Sequence, residues 1–239
     1  MFSPMEQFLI FPVFNFQLTI SNIVFYLILA STLSIVLSNM NKSLILTNNW
    51  GIISESLFRT VLNMLESFVG PKASIYLPLF YSVSQIILFS NFLGLVPYSS
   101  TPTVEIVMTL AFSFTLLIGF ALLGFLTHKF YLLSMFLPGG TPLGLIPLMV
   151  ALEVIAYLSR TLSLGLRLAI NLITGHCLVK VIAGFLWLGY INGTSLFILS
   201  LGILLLTIFL CLEFLVCYLQ CYIFLFIALL TLKDVSLTH

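Results

Sequence analysis

The chain has 239 residues, of which 61% are hydrophobic and only 6% are charged. Charged residues make up about a quarter of an ordinary soluble domain, so a water-soluble globule of this size could not cover its surface. Eight basic residues against seven acidic ones leave no basic face, which excludes nucleic-acid binding as the main task.

The apolar segments are long and continuous, which favours membrane-spanning helices over the strands of about ten residues that build a barrel. We predict the first membrane span at residues 18–40. Residues 51–70 differ, because their apolar positions repeat at helical spacing while Glu55, Arg59 and Glu66 occupy the other face. This helix is too polar to cross the membrane, and we expect it to lie along the membrane surface.

A helical hairpin is predicted over residues 74–128. Its first helix extends to about residue 96, a turn at residues 97–102 reverses the chain, and a second apolar helix covers about residues 106–126. Residues 130–142 contain a Pro-Gly-Gly-Thr-Pro segment that breaks helices, so we expect a loop there.

The last part of the chain, residues 143–234, contains two unusually long apolar runs, at about residues 147–191 and 195–232. Each run is far longer than the roughly 20 residues that one span requires. At about 1.5 Å per residue, neither helix could stand upright in a hydrocarbon core about 30 Å thick. No proline or polar loop interrupts either run, and Asn192-Gly193 separates them with a turn signal. We therefore predict a hairpin of two long, strongly tilted, antiparallel helices.

Together these elements predict an all-α integral membrane protein with about five passes, one amphipathic surface helix and a single membrane domain over residues 1–239. Basic residues indicate the topology, because loops on the inner side of a membrane are enriched in Lys and Arg. In a five-pass chain the basic residues that flank the spans fall on one side: Lys42, Arg59, Lys72, Lys129 and Lys233. We therefore expect the N-terminus outside and the C-terminus inside.

The long hairpin carries ionisable side chains inside apolar sequence, where they are costly and are candidates for function. Glu153, Arg160 and Arg167 follow one another at intervals of two helical turns, so they share one helix face. Asn171, one turn after Arg167, extends that face, whereas His176 and Lys180 point roughly to the opposite face. The first half of this helix is therefore polar on one side and the second half on the other.

Antiparallel registry predicts which side chains of the two helices lie at the same depth. With the turn at Asn192-Gly193, three polar levels result, which pair Glu153 with Asp234, Arg167 with Gln220, and His176 with Glu213. One interpretation is that these pairs only join the two helices as buried polar contacts. A graded series of proton-exchangeable groups around a central arginine instead favours two access paths that do not meet, since a guanidinium stays charged even when poorly solvated.

At these residues the chain resembles subunit a of F-type ATP synthases, of the mitochondrial type. Residues 163–176, which include Arg167, resemble the signature of that family, and residues 219–224 resemble its C-terminal signature. Residues 91–98 resemble a third motif of the family. Three motifs in the family's order make the resemblance specific, and it extends more loosely over the N-terminal span and the surface helix.

The resemblance implies a proton-translocating stator that faces the rotating ring of c subunits, with no catalytic chemistry, cofactor or metal in this chain. It makes Arg167 the essential arginine and charge gate, with Gln220 as its neighbour on the last helix. The half-channel residues that it implies are His176, Glu213, Asn171 and Asn91 on the outer side, and Glu153 and Asp234 on the inner side. The other implied partners are further membrane subunits, peripheral-stalk subunits and the lipid bilayer, with no nucleic acid.

The combination of His176 with Glu213, the extreme apolarity and the lack of a secretory signal favour the mitochondrial inner membrane. The N-terminus would then lie in the intermembrane space and the C-terminus on the matrix side. Lys180 and Glu105 are atypical for the family, and Arg160 has no assigned role. Two other functions stay open, a secondary transporter and a purely structural membrane subunit of a respiratory complex. The lack of an internal repeat or a broken helix speaks against the transporter.

Overall fold

The computed structural model of the chain describes residues 12–15, 19–40, 49–96, 103–128, 143–193 and 195–236. Near the N-terminus, β1 (Pro12–Asn15) and β2 (Thr19–Ser21) pair as a short antiparallel ribbon. The hydropathy pattern does not predict this ribbon, because strands of three or four residues are too short to show an alternation. The predicted turn at residues 97–102 and the predicted loop at residues 130–142, together with Lys42 and Lys129, lie outside the described residues.

The other elements of these ranges are helical, which confirms the predicted all-α membrane class. They are α1 (Asn22–Met40), α2 (Asn49–Val69), α3 (Leu77–Gly94), α4 (Ile106–His128), α5 (Ile146–Ile191) and α6 (Leu196–Ser236). Short 3-10 helices at Pro71–Tyr76 and Leu143–Leu145 lead into α3 and α5. Of the described helices, α3 to α6 are long and apolar enough to cross a membrane, and α1 adds a shorter apolar stretch, Asn22–Val36.

The antiparallel hairpin of α5 and α6 is the longest feature of the fold. α5 has 46 residues and α6 has 41, which at about 1.5 Å per residue makes them ~69 and ~62 Å long. Helices of this length do not fit upright in a core about 30 Å thick, so they must cross it at a strong tilt. The chain reverses at Asn192 and Gly193, where Gly193 has a φ of +67°, a left-handed backbone that glycine adopts without steric cost.

The amphipathic helix α2 has two faces in different environments. Its apolar residues Val61, Met64 and Leu65 are buried in the core that α2 shares with α3 and α6. On the exposed face, Arg59 forms an ion pair with Glu55 at 2.6 Å, one turn away on the same helix. α2 is therefore docked against the spanning helices through its apolar face, and its polar face remains exposed.

The core surrounds one half of the long hairpin. Phe80 of α3 stacks on Phe120 of α4 with 5.9 Å between the ring centroids, and Leu168 of α5 is buried in the same cluster. Gly165 allows α4 to approach α5 closely, since a Cβ atom at this position would lie 2.7 Å from the Ser113 hydroxyl oxygen. This half of the hairpin is therefore held firmly by its neighbours.

The other half of the hairpin, residues 181–208, is called the hairpin tip below. Large apolar side chains on both helices of the tip are exposed, including Trp187 at 63% and Leu196 at 84%. Apolar surface of this extent is a sign of contact with lipid or with another membrane protein. The hairpin is therefore packed at one end and bare at the other.

Candidate functional site

A polar cleft lies between α3, α5 and α6, on the packed half of the hairpin. It encloses a cavity of about 280 Å³, and four of its lining residues carry amide or carboxylate side chains: Asn91, Asn171, Glu213 and Gln220. Three of these side chains are deeply buried, since Asn91 is 1%, Gln220 5% and Glu213 6% exposed. Burying polar groups in an apolar protein is costly unless they are hydrogen-bonded, so their convergence on one cavity marks a candidate site.

The amide groups in this cleft connect the three helices. Asn171 Nδ2 of α5 donates to Gln220 Oε1 of α6 at 3.1 Å. Asn91 Nδ2 of α3 donates to the backbone oxygen of Cys217 on α6 at 3.4 Å. Asn91 Oδ1 accepts no hydrogen bond from the described residues, so a buried acceptor remains on a side chain that lines the cavity.

His176 and Glu213 face each other across the two helices of the hairpin, as the registry predicts. The distance between His176 Nδ1 and Glu213 Oε1 is 3.7 Å, and both side chains are largely buried. This distance is longer than a direct hydrogen bond and is within the range that one bridging water spans. Lys180, one turn farther along α5, and the backbone of Gly94 at the end of α3 are the other polar neighbours of His176.

Gly175 is a site residue that the sequence analysis does not single out. A Cβ atom at this position would lie 2.8 Å from Glu213 Oε1, so the carboxylate rests against the bare backbone of α5. A side chain at position 175 would push the carboxylate away from its place beside His176. The only sequence signal is the position of this glycine, immediately before a histidine in an otherwise apolar helix.

Arg167 lies one helical turn before Asn171, on the predicted polar face of α5. Its guanidinium Nη2 donates to Ser163 Oγ on the same helix at 3.3 Å. Within the described part of the chain, no carboxylate lies within 4 Å of Arg167. The positive charge of Arg167 therefore has no carboxylate partner among the described residues.

Two of the predicted polar levels are displaced along the hairpin. Gln220 bonds to Asn171, one turn beyond its predicted partner Arg167. Asp234 forms an ion pair with Arg160, whose Nη1 donates to Asp234 Oδ2 at 2.8 Å, two turns beyond the predicted partner Glu153. Long side chains reach along a helix to the best partner, so simple registry locates such pairs only to within one or two turns.

At the end of the hairpin that holds Glu153 and Asp234, the charged side chains differ in their partners. Arg160 and Asp234 neutralise each other across α5 and α6, at side chains that are partly exposed. Glu153 is exposed on α5, and no ion pair joins it to another described residue. In the described ranges, no cluster of three His, Cys, Asp or Glu side chains is arranged to hold a metal ion.

These groups can exchange and guide protons within a membrane. The histidine and carboxylate can bind or release protons, the amides can hold water in the cleft, and the arginine supplies a fixed charge between the two ends. Ionisable groups at membrane depth are typical of proton relays and ion pathways. The polar cleft, Arg167 and the ion pair between Arg160 and Asp234 all belong to the same hairpin.

The sequence of this chain is similar to the sequences of known proteins. The family described as ATP synthase A chain matches residues 18–232. The chain is 34% identical to the ATP synthase subunit a of Zancudomyces culisetae over 249 aligned residues, which cover 100% of both chains. It is 38% identical to that of Mycosarcoma maydis, covering 99% of this chain and 98% of the relative. It is 39% identical to that of Neurospora crassa, covering 78% of this chain and 73% of the relative.

Proposed function

The chain belongs to the ATP synthase A chain family, and we propose that it conducts protons to and from the rotating ring of c subunits in an F-type ATP synthase. It is a membrane-sector subunit of that complex, and its proposed task is to offer two offset half-channels separated by Arg167. The observation that carries this proposal is the polar cleft between α3, α5 and α6, which lies within one turn of an arginine that has no carboxylate partner in the described ranges.

The outer half-channel consists of the polar cleft. Glu213, which lines the cavity, and His176, whose Nδ1 lies 3.7 Å from the Glu213 carboxylate, receive the proton from outside. The amide groups of Asn91 and Asn171 line the cavity and hold water there. The proton moves through this water toward the ring. The cavity of about 280 Å³ has room for several water molecules, since each occupies about 30 Å³ in the liquid.

Arg167 acts as the charge gate, with Gln220 close by on α6. A carboxylate on the ring, arriving without its proton, would find in Arg167 the positive charge that this chain leaves unbalanced. Attraction between unit charges is strong where water is scarce, so the arginine favours the ionised form of the ring carboxylate. The same positive charge repels a proton that would otherwise pass directly from one half-channel to the other.

Glu153 and Asp234 form the inner half-channel in this proposal. Asp234 forms an ion pair with Arg160, whereas Glu153 is exposed and has no ion-pair partner among the described residues. The proton released near Arg167 then leaves past Glu153 on the inner side. Each proton that crosses 100 mV supplies about 2.3 kcal/mol to turn the ring.

The proposed location is the mitochondrial inner membrane. The fungal relatives and the apolar helices support it, and the basic residues that flank the spans support an N-terminus in the intermembrane space. The proposed partners are the c-subunit ring, other membrane subunits and the peripheral stalk. The exposed hairpin tip and the exposed face of α5 offer apolar surface for them and for lipid.

The test is proton-driven ATP synthesis by the assembled complex in vesicles, with Arg167→Gln compared with the unaltered protein. We expect synthesis to fall to background while assembly stays normal, because the fixed charge is lost and the shape is nearly kept. The matched control is Arg59→Gln, which removes an exposed arginine from α2 and should leave synthesis intact. Unchanged synthesis in Arg167→Gln would make Arg167 a structural residue and favour a purely structural subunit.

A further inference from the structure

Tyr157 lies on α5 between two charged residues that the proposed inner half-channel uses or borders. It follows Glu153 by four residues and precedes Arg160 by three, so the three side chains share one face of the helix. Its hydroxyl oxygen is buried, and it forms no hydrogen bond with the described residues. This combination is unusual, because nearly all buried hydroxyl groups in proteins have a hydrogen-bond partner.

The surroundings of Tyr157 are charged. Asp234 and Arg160, which form the 2.8 Å ion pair between α6 and α5, are the charged groups that interact electrostatically with its hydroxyl. From its own helix, Glu153 faces the same side one turn earlier. A buried hydroxyl beside a carboxylate and a guanidinium is well placed to donate one hydrogen bond and to accept another.

Packing alone does not explain this hydroxyl. A phenylalanine would fill the same volume without burying a polar group that lacks a protein partner, and such a replacement is commonly neutral or stabilising. The hydroxyl is therefore available to a group other than the described side chains. A water molecule is such a group, since buried waters bind polar atoms that lack a protein partner.

We propose that the Tyr157 hydroxyl is a positioning residue of the inner half-channel, holding a water molecule between Glu153 and the Arg160–Asp234 pair. This inference rests on the proposed function and adds one residue to the exit path. Tyr157 keeps its own proton, and its hydroxyl holds the bound water by a hydrogen bond. The departing proton passes along the water to Glu153 and then to bulk solvent.

The test uses the whole complex in vesicles whose inner-side and outer-side pH are set separately, with Tyr157→Phe compared with the unaltered protein. We expect ATP synthesis per assembled complex to fall about fivefold, the effect of losing one hydrogen bond of ordinary strength. The dependence of the rate on the exit-side pH should shift, while its dependence on the entry-side pH should stay the same. A residue that only supports packing would lower the rate equally at every pH.

The matched control is Tyr26→Phe, because Tyr26 is on α1, outside the long hairpin and both proposed half-channels. It should alter neither the rate nor either pH profile. A Tyr157→Phe complex with an unchanged rate and unchanged profiles would overturn the inference. So would a loss of rate that does not depend on the exit-side pH.

A second variant covers the case in which the phenylalanine variant assembles poorly. Tyr157→His keeps a hydrogen-bonding ring, and we expect it to restore more than half of the rate per assembled complex that Tyr157→Phe loses. Failure to restore this rate would overturn the inference. Failure of the Tyr157 inference is distinct from failure of the proposed function, because Arg167→Gln would still abolish synthesis in the first case and would leave it unchanged in the second.

Discussion

His176 Nδ1 on α5 and Glu213 Oε1 on α6 lie 3.7 Å apart, and both side chains are largely buried. Ionisable groups that meet at membrane depth are candidates for a proton relay. The Glu213 carboxylate also rests against the bare backbone of Gly175, and both of these residues line the cavity between α3, α5 and α6.

Replacing Glu213 with glutamine should reduce ATP synthesis by about a hundredfold, the usual cost of removing a group that passes a proton. The amide keeps the size of the carboxylate and leaves its packing nearly unchanged, but it cannot take up and release a proton as the carboxylate does. The measurement is proton-driven ATP synthesis per assembled complex in vesicles. Glu66→Gln, an exposed acid on α2, is the matched control and should have no effect. Normal synthesis in Glu213→Gln would remove this residue from the outer half-channel.

Gly175→Ala tests the close contact between the α5 backbone and the Glu213 carboxylate. The new methyl group would lie 2.8 Å from Glu213 Oε1, so the carboxylate must move away from His176. We expect synthesis to fall about tenfold while the complex still assembles, because the flexible end of a side chain can yield. The measurement is the synthesis rate together with the thermal unfolding temperature of the purified complex.

The control for this substitution is Gly184→Ala on the same helix, where an added Cβ would meet no atom within 4 Å. It should leave the rate unchanged and stabilise α5 slightly, by up to about 1 kcal/mol, since alanine favours helix more than glycine does. Equal effects of the two alanine substitutions would show that the contact with Glu213 has no bearing on proton transfer.

The ion pair between Arg160 and Asp234 can be tested by exchanging its charges. Arg160→Asp alone places two carboxylates together and should impair both assembly and synthesis. Adding Asp234→Arg should restore assembly, because the attraction across α5 and α6 is recovered. Its contribution is expected to be about 1 kcal/mol or less, since both side chains are partly exposed. If assembly stays defective in the double variant, the position of each charge, and not only the attraction between them, is needed for assembly.

The sequence predicts the long hairpin well, and the reason is physical. Two apolar runs without proline have no way to end except at a turn signal, so Asn192-Gly193 determines where the chain reverses. Once the turn is known, residues equally distant from it lie opposite each other. This is why His176 and Glu213, the predicted pair closest to the turn, meet as expected.

Registry becomes less accurate with distance from the turn. The partner of Asp234 is Arg160 rather than Glu153, and the partner of Gln220 is Asn171 rather than Arg167. Helices that cross at an angle accumulate an offset, and long side chains bridge it by reaching toward opposite charge. Nothing in a residue count contains the crossing angle, so these pairings require the three-dimensional structure.

The sequence does not reveal residues that matter because they have no side chain or because a polar group on them has no hydrogen-bond partner. Gly175 matters because it has no side chain, and Tyr157 matters because its hydroxyl has no partner among the described residues. Neither property appears in composition or periodicity. The converse holds for Arg167, whose charge in an apolar helix is visible in the sequence alone.

The uneven support of the hairpin has a mechanical consequence. Near Gly165 its two helices pack against α4 and the core, whereas no other helix covers the two helices of the hairpin tip among the described residues. Such a hairpin is stiff at its packed end and bends more easily at its free end. A rotating neighbour of uneven radius would bend the free end as each of its subunits passes. The geometry around Arg167 and the polar cleft, which lie nearer the packed end, would scarcely change.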